Sequence, residues 1–346
     1  LEESNGVSEA AVQMIIKDHP KYVLVTGDLT KDGEQQAELD IAAKFREIET
    51  KTAENYGKDN ATKVFVINGN HDIYNTDAWN FNEGTNTREP APLVDGNTEH
   101  TLITQEPHFQ TTNSKGTAMT QGATDPQYFR YVMNDFGYGE AAEQEKSLKN
   151  GQPSHFFTNP NNTSSAPTDK TNPAHYTSAI AGELSYYVDE GNFRFVAIDS
   201  GKYSPDAGTG YDYNEHVTAG RIDESLLPWI SQVTKDADKQ GKTVIGFLHH
   251  GIVPHFDKED QYLSEYVVDN WQEVASALAD SGMRWVFSGH MHANDRADYV
   301  SPSGNQLTDV QTGSLASYGT PVRYVNFTRG DKLNLKDNAN RHAETM

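Results

Sequence analysis

Val64-Phe65-Val66-Ile67-Asn68-Gly69-Asn70-His71-Asp72 is the stretch that decides how the chain is read. Its four apolar residues, mostly β-branched, have the composition of a strand buried on both faces. The run stops at a glycine-containing turn that carries an amide, an imidazole and a carboxylate. The same arrangement recurs along the chain. Gly27-Asp28 follows Tyr22-Val23-Leu24-Val25-Thr26, His249-His250 follows Val244-Ile245-Gly246-Phe247-Leu248, and Gly289-His290-Met291-His292 follows Trp285-Val286-Phe287-Ser288. Buried strands that each end in oxygen or nitrogen donors are how an α/β sheet assembles a metal site at its carboxyl edge.

The surroundings of these strands support an α/β fold. Val7, Ala10, Ala11, Met14 and Ile15 recur at helical spacing before the first strand, and Leu39, Ala42, Phe45 and Ile48 do so between the first and second. Strand, helix and strand with apolar runs predict a βαβ unit in a mostly parallel sheet. From about 73 to 183 the chain is rich in Asn, Thr, Gln, Pro and Gly, with few periodic apolar runs. We expect this span to be an insertion or lid over the site, with a short helix near Tyr128–Tyr138 and residues 155–175 as part of the lid. A hairpin over 184–198, helices over 224–239 and 264–280, strands over 243–248 and 284–288, and closing strands over 307–312 and 322–327 complete the expected core. The expected division is thus a core of 1–72 and 184–329, an insertion of 73–183, and a polar tail of 330–346 without structure.

Composition narrows the functions. The 346 residues carry 50 Asp plus Glu against 28 Lys plus Arg, a formal net charge of −22. That balance argues against a nucleic-acid-binding surface and against adhesion to anionic membranes. A phosphate ester can still bind an acidic body where metal cations dominate the local field. With no cysteine there is neither a disulfide framework nor a thiolate metal site. No apolar run approaches the length of a membrane span.

The donor types define the chemistry. Asp28 has two oxygens and can bridge two cations, and Gly27 before it lets the backbone approach closely. Asn70 offers a neutral carbonyl oxygen. His71 is then free to act as an acid or as a donor to a phosphoryl oxygen, and Asp72 is placed to orient its ring. His249 and His250 leave one strand as neighbours, so one points to the site and the other away or towards substrate. His255 lies a short loop further on and is a second candidate substrate contact. His290 and His292, two apart, would share a side in extended backbone. Oxygen and imidazole ligands suit Mn, Fe, Zn, Co or Ni.

The ordered set Gly-Asp, Gly-Asn-His-Asp, His and Gly-His-x-His resembles the calcineurin-like metallophosphoesterase superfamily. The resemblance implies a two-layered β-sandwich flanked by helices, with the late strands in the second sheet. It implies two transition-metal ions bridged by Asp28, the second held by Asn70, His249 and His290, and the first held in part by His292. It further implies hydrolysis of a small phosphate ester by metal-bound hydroxide, with His71, oriented by Asp72, protonating the leaving oxygen or stabilising the transition state. Gly27-Asp28-Leu29-Thr30-Lys31-Asp32-Gly33-Glu34, His249-His250-Gly251 and Thr312-Gly313-Ser314 are similar to the class III cyclic-nucleotide-phosphodiesterase-like branch, in an exported bacterial form with a long insertion. Phosphodiesters or cyclic nucleotides are then the favoured substrates. Purple acid phosphatases place a metal-binding tyrosine three residues after the Gly-Asp aspartate. Lys31 stands there, so their Fe(III) charge-transfer site is not expected.

One part of the superfamily pattern is missing. Its first strand carries Asp-x-His, yet none of the 13 histidines has Asp two positions before it. Glu106-Pro107-His108 comes nearest, within the expected insertion. The expectation is that the first strand lies upstream of Leu1. The alternative is a degenerate, non-catalytic relative that serves as a surface binding module.

Overall fold

The computed structural model describes residues 2–73, 75, 79–82, 87–90, 111–112, 118–119, 124, 126–160, 181–202, 217–317, 320–327 and 343–345. His108 and most of the span 155–175 lie outside them.

The first half of the core is the expected βαβ unit. Strand β1 (Tyr22–Thr26) pairs in parallel with β2 (Lys63–Ile67), and helices α1 (Glu2–Asp18) and α2 (Gln35–Tyr56) pack together. Ala42, Phe45 and Ile48 form the buried stripe of α2.

A second sheet has six strands: β3 (Tyr186–Glu190), β4 (Phe193–Ile198), β5 (Thr243–Leu248), β6 (Trp285–Ser288), β7 (Asp295–Val300) and β8 (Gln306–Gln311). Their order is β7-β8-β6-β5-β4-β3. The inner pairs β4–β5, β5–β6 and β6–β8 are parallel, and both edge pairings are antiparallel. The late strand 306–311 therefore joins this sheet, as expected. Strand β7 is absent from the sequence reading, because Asp295-Arg296-Ala297-Asp298 is polar on both faces of an edge strand with only Ala297 buried.

Alternation along the strands divides the interior into two layers. Phe195 and Ala197 of β4 face β1 and β2, where Phe195 lies 4.7 Å from the ring of Tyr22 and 5.2 Å from that of Phe65. Val196 and Ile198 face the other way, onto helix α5 (Leu226–Lys239) and helix α6 (Trp271–Ser281). The fold is thus α/β: helices outside, two sheets within. The predicted helix over 264–280 is broken, with a single turn at Ser264–Tyr266 and the helix proper only from Trp271. The β-branched Val267 and Val268 run between them, where Gly251 bridges to Val267.

Within the span expected as an insertion, helix α3 (Pro126–Val132), a π-helical turn (Asn134–Tyr138) and helix α4 (Gly139–Glu145) pack into the core. Phe129, Met133, Phe136 and Tyr138 are fully buried against the first sheet. Tyr186 ties this segment down by donating its hydroxyl to the carbonyls of Val66 and Phe136. The tail also holds some order, since Ala343–Thr345 pairs antiparallel with Val325–Phe327.

The consequence for function is placement. The carboxyl ends of β1, β2, β5 and β6 lie along one edge of the two sheets. Gly289 donates its N–H to the carbonyl of His249, and a side chain at Gly289 would meet Thr26.

Candidate metal centre

Gly69 sits against Asp28 so closely that a Cβ there would lie 2.2 Å from both the amide nitrogen and Oδ1 of Asp28. The two motif loops can meet only because this residue is glycine. Gly27, Asp28, His290 and His292 all have positive φ, at 88°, 50°, 65° and 55°. For the three non-glycine residues this backbone costs about 1–2 kcal/mol each. Such clustered strain is typical of functional sites. It also shows that His290 and His292 share a turn rather than the extended segment expected.

The loops bring four donors together. Nε2 of His249 lies 2.8 Å from Oδ1 of Asn70, 3.0 Å from Nδ1 of His290 and 3.2 Å from Oδ2 of Asp28. The outer ring nitrogens fix the protons. Nδ1 of His249 donates to the Thr26 carbonyl at 2.8 Å, and Nε2 of His290 donates to the Glu265 carbonyl at 3.0 Å. A carbonyl only accepts, so each neutral ring keeps a lone pair on its inner nitrogen. Two imidazole lone pairs, an amide oxygen and a carboxylate oxygen then converge with no donor among them. That is poor hydrogen bonding and a good cation site. The nitrogen and oxygen set fits a first-row transition metal.

The electrostatics agree. Burial pushes the His290 imidazole far down, and His250 and His249 beside it add to the effect, so the ring stays neutral. Burial disfavours charge on Asp28, but His249, His71 and the His71 N–H, which donates to Oδ1 at 3.0 Å, outweigh it and hold the carboxyl low. Burial also opposes a proton on His249, but Asp28 and the Thr26 carbonyl raise that ring overall. A cation and a proton therefore compete for one place.

His71 is half-buried and its N–H donates to Asp28, while the carboxylate of Asp72, expected to orient the ring, accepts from backbone and hydroxyl groups. Asp72 uses Oδ2 to accept from the Gly69 N–H at 2.7 Å, and Oδ1 to accept from the Thr30 N–H at 3.0 Å and hydroxyl at 3.1 Å. It clamps the two motif loops together. Beside Nδ1 of His71 stands Nδ2 of Asn75, at 3.5 Å, which also donates to the His71 carbonyl at 3.1 Å. Sequence reading missed Asn75 because a lone Asn four residues on carries no motif.

The two candidate substrate histidines are placed otherwise. His250 is fully buried; its Nε2 donates to the Thr218 carbonyl and its Nδ1 accepts from the Ser200 hydroxyl, both at 2.9 Å. One of its ring nitrogens comes within 4.8 Å of one on each of His249 and His290, but both are committed to these partners, so the set with Asp28 and Asn70 is the better cation site. The His255 side chain is only 3% exposed and turns to carboxylates, with Nδ1 3.1 Å from Oδ2 of Asp295 and Nε2 3.8 Å from Oδ2 of Asp309. Both rings, expected as substrate contacts, are thus engaged by protein groups in this structure. His292 is exposed at the rim.

Residues 7–129 match the family described as calcineurin-like phosphoesterase. The matched segment carries Asp28, Asn70, His71 and Asp72, and the histidines of β5 and β6 lie beyond it. Among solved structures, a dimetal phosphatase from Danio rerio is similar at 15% identity, over 90% of this chain and 77% of that one, with a TM-score of 0.38. No curated protein matches. Among the described residues, no helix is long and apolar enough to cross a membrane.

Proposed function

We propose that the chain is a metal-dependent phosphoesterase acting on small phosphate esters, with phosphodiesters or cyclic nucleotides favoured. The observation that carries this reading is the convergence of Asn70 Oδ1, His290 Nδ1 and Asp28 Oδ2 on His249 Nε2 within 3.2 Å. The family match over 7–129 supports it from the sequence side. Asp28, Asn70, His249 and His290 would hold one cation; Asp28 and His292 would contribute to a second. Bound cations of this kind polarise a phosphoryl oxygen and lower the pKa of water. His71, at the same edge, would donate to the leaving oxygen. Asn75 would hold the ring for that task, and Asp72 would hold the backbone on which it stands.

The alternative, a non-catalytic binding module, draws on the missing Asp-x-His pattern. One experiment separates the two: metal analysis of the chain together with hydrolysis of bis-p-nitrophenyl phosphate, p-nitrophenyl phosphate and a cyclic nucleotide under added Mn²⁺. We expect bound metal and diester turnover. Metal without turnover would favour the binding module, and neither would end the phosphoesterase reading.

A further inference from the structure

Asp309 is a fully buried carboxylate in the middle of β8, outside the cluster of donors. Its contacts are distributed in an unusual way. Oδ2 accepts from the backbone N–H of Ile252 at 2.6 Å and of Val253 at 3.2 Å, just past His249-His250-Gly251. Oδ1 accepts from the Ser288 hydroxyl at 2.7 Å, two residues before His290. His255 lies on the Oδ2 side. One side chain thus holds both histidine-bearing loops from behind.

Burying a carboxylate is costly unless its oxygens are satisfied. Here every donor it uses either belongs to the last residue of β6, which leads into the His290 loop, or lies in the stretch just past His249-His250-Gly251. A hydrophobic residue would fill the same space in the sheet without binding either loop. The His249–His290 separation of 3.0 Å depends on the relative height of these loops, and a metal site tolerates only about 0.5 Å of misplacement.

We propose that Asp309 is a positioning residue of the metal centre, setting the loop of His249 against the loop of His290. The inference rests on the reading of this cluster as a cation site.

The test is Mn²⁺ binding to the full chain, followed by electron paramagnetic resonance, for the natural chain and for Asp309→Ala, Asp309→Asn and Ser288→Ala. Asp309→Ala should weaken binding about tenfold or more and change the line shape of the bound ion. In Asp309→Asn the amide carbonyl can serve Ile252 and Val253 while the Ser288 hydroxyl reverses to accept from the amide N–H, so affinity should recover to within about threefold. A role in stability alone would lower the unfolding midpoint and leave the affinity and spectrum of the folded protein unchanged. Asp309→Ala with natural affinity and line shape would overturn the proposal, as would an Asn variant no better than Ala. Should the Ala variant fail to fold by circular dichroism, Ser288→Ala decides: several-fold weaker binding supports the proposal and natural binding overturns it. If the natural chain takes up no Mn²⁺, the metal reading fails first and this inference with it.

Discussion

Nε2 of His249 and Nδ1 of His290 face each other at 3.0 Å, and each ring spends its other nitrogen on a backbone carbonyl. Two lone pairs directed at one another are held by the fold, not by mutual attraction. A proton between them, or a cation to one side within reach of both, would relieve the opposition.

Asn70 tests the cation directly. Its Oδ1 is the uncharged oxygen of the cluster, 2.8 Å from Nε2 of His249. Asn70→Ala removes one ligand without disturbing the tautomers of the rings. We expect the ion at this centre to bind about 10–100-fold more weakly, by the usual cost of damage to a metal site. Competition with a chromogenic chelator measures this, and unchanged affinity would remove Asn70 from the ligand set.

His71 should separate chemistry from binding. Its ring lies beside the cluster but outside the four converging donors. His71→Ala should lower kcat about 10²–10⁴-fold, the usual range for loss of a positioned acid, with metal content retained. Asn75→Ala should lower kcat less, because only the ring's tether is lost. Equal metal content with an unchanged rate in His71→Ala would contradict the role given to it.

Gly69 is the tightest steric point of the site. Any side chain there must displace the backbone of Asp28, since a Cβ would stand 2.2 Å from its nitrogen. Gly69→Ala should therefore destabilise the chain by about 1–3 kcal/mol or more, as for other overpacked sites, and lower metal uptake at the same time. Urea unfolding with parallel metal analysis tests both. A folded Gly69→Ala variant with natural metal content would show that the loops can part without losing the site.

The sequence made the four strand-terminal motifs legible because each is local: an apolar run fixes the strand and the next residues carry the donors. What it hid was non-local. Asp72 reads as the partner of His71 by adjacency, yet its oxygens reach Gly69 and Thr30. His255 reads as a rim histidine but turns towards Asp295 and Asp309, 40 or more residues away. Residues 126–145 read as part of an insertion with a short helix near Tyr128–Tyr138; which part of the core Phe129, Met133 and Phe136 fill is not legible there. In each case the partner is set by sheet order, which spacing along the chain does not encode.

Glu49 gives a pH dependence independent of the metal centre. It lies half-buried on α2, where burial, reinforced by Glu140 and Asp135, raises its carboxyl from the ordinary 4.5 to about 7 despite the Val64 N–H that donates to it. The folded chain therefore keeps a proton there that the unfolded chain releases near 4.5. Where the native state binds more protons, stability falls as pH rises. The contribution is fully present below about pH 4.5 and is lost as pH passes through about 7. Glu38 is raised in the same direction by burial, so the comparison must be differential. We expect the urea midpoint of the natural chain to fall more steeply from pH 4.5 to pH 8 than that of Glu49→Gln, which keeps an acceptor for Val64 but cannot ionise. Parallel slopes for the two proteins would show that Glu49 titrates alike in the folded and unfolded chains.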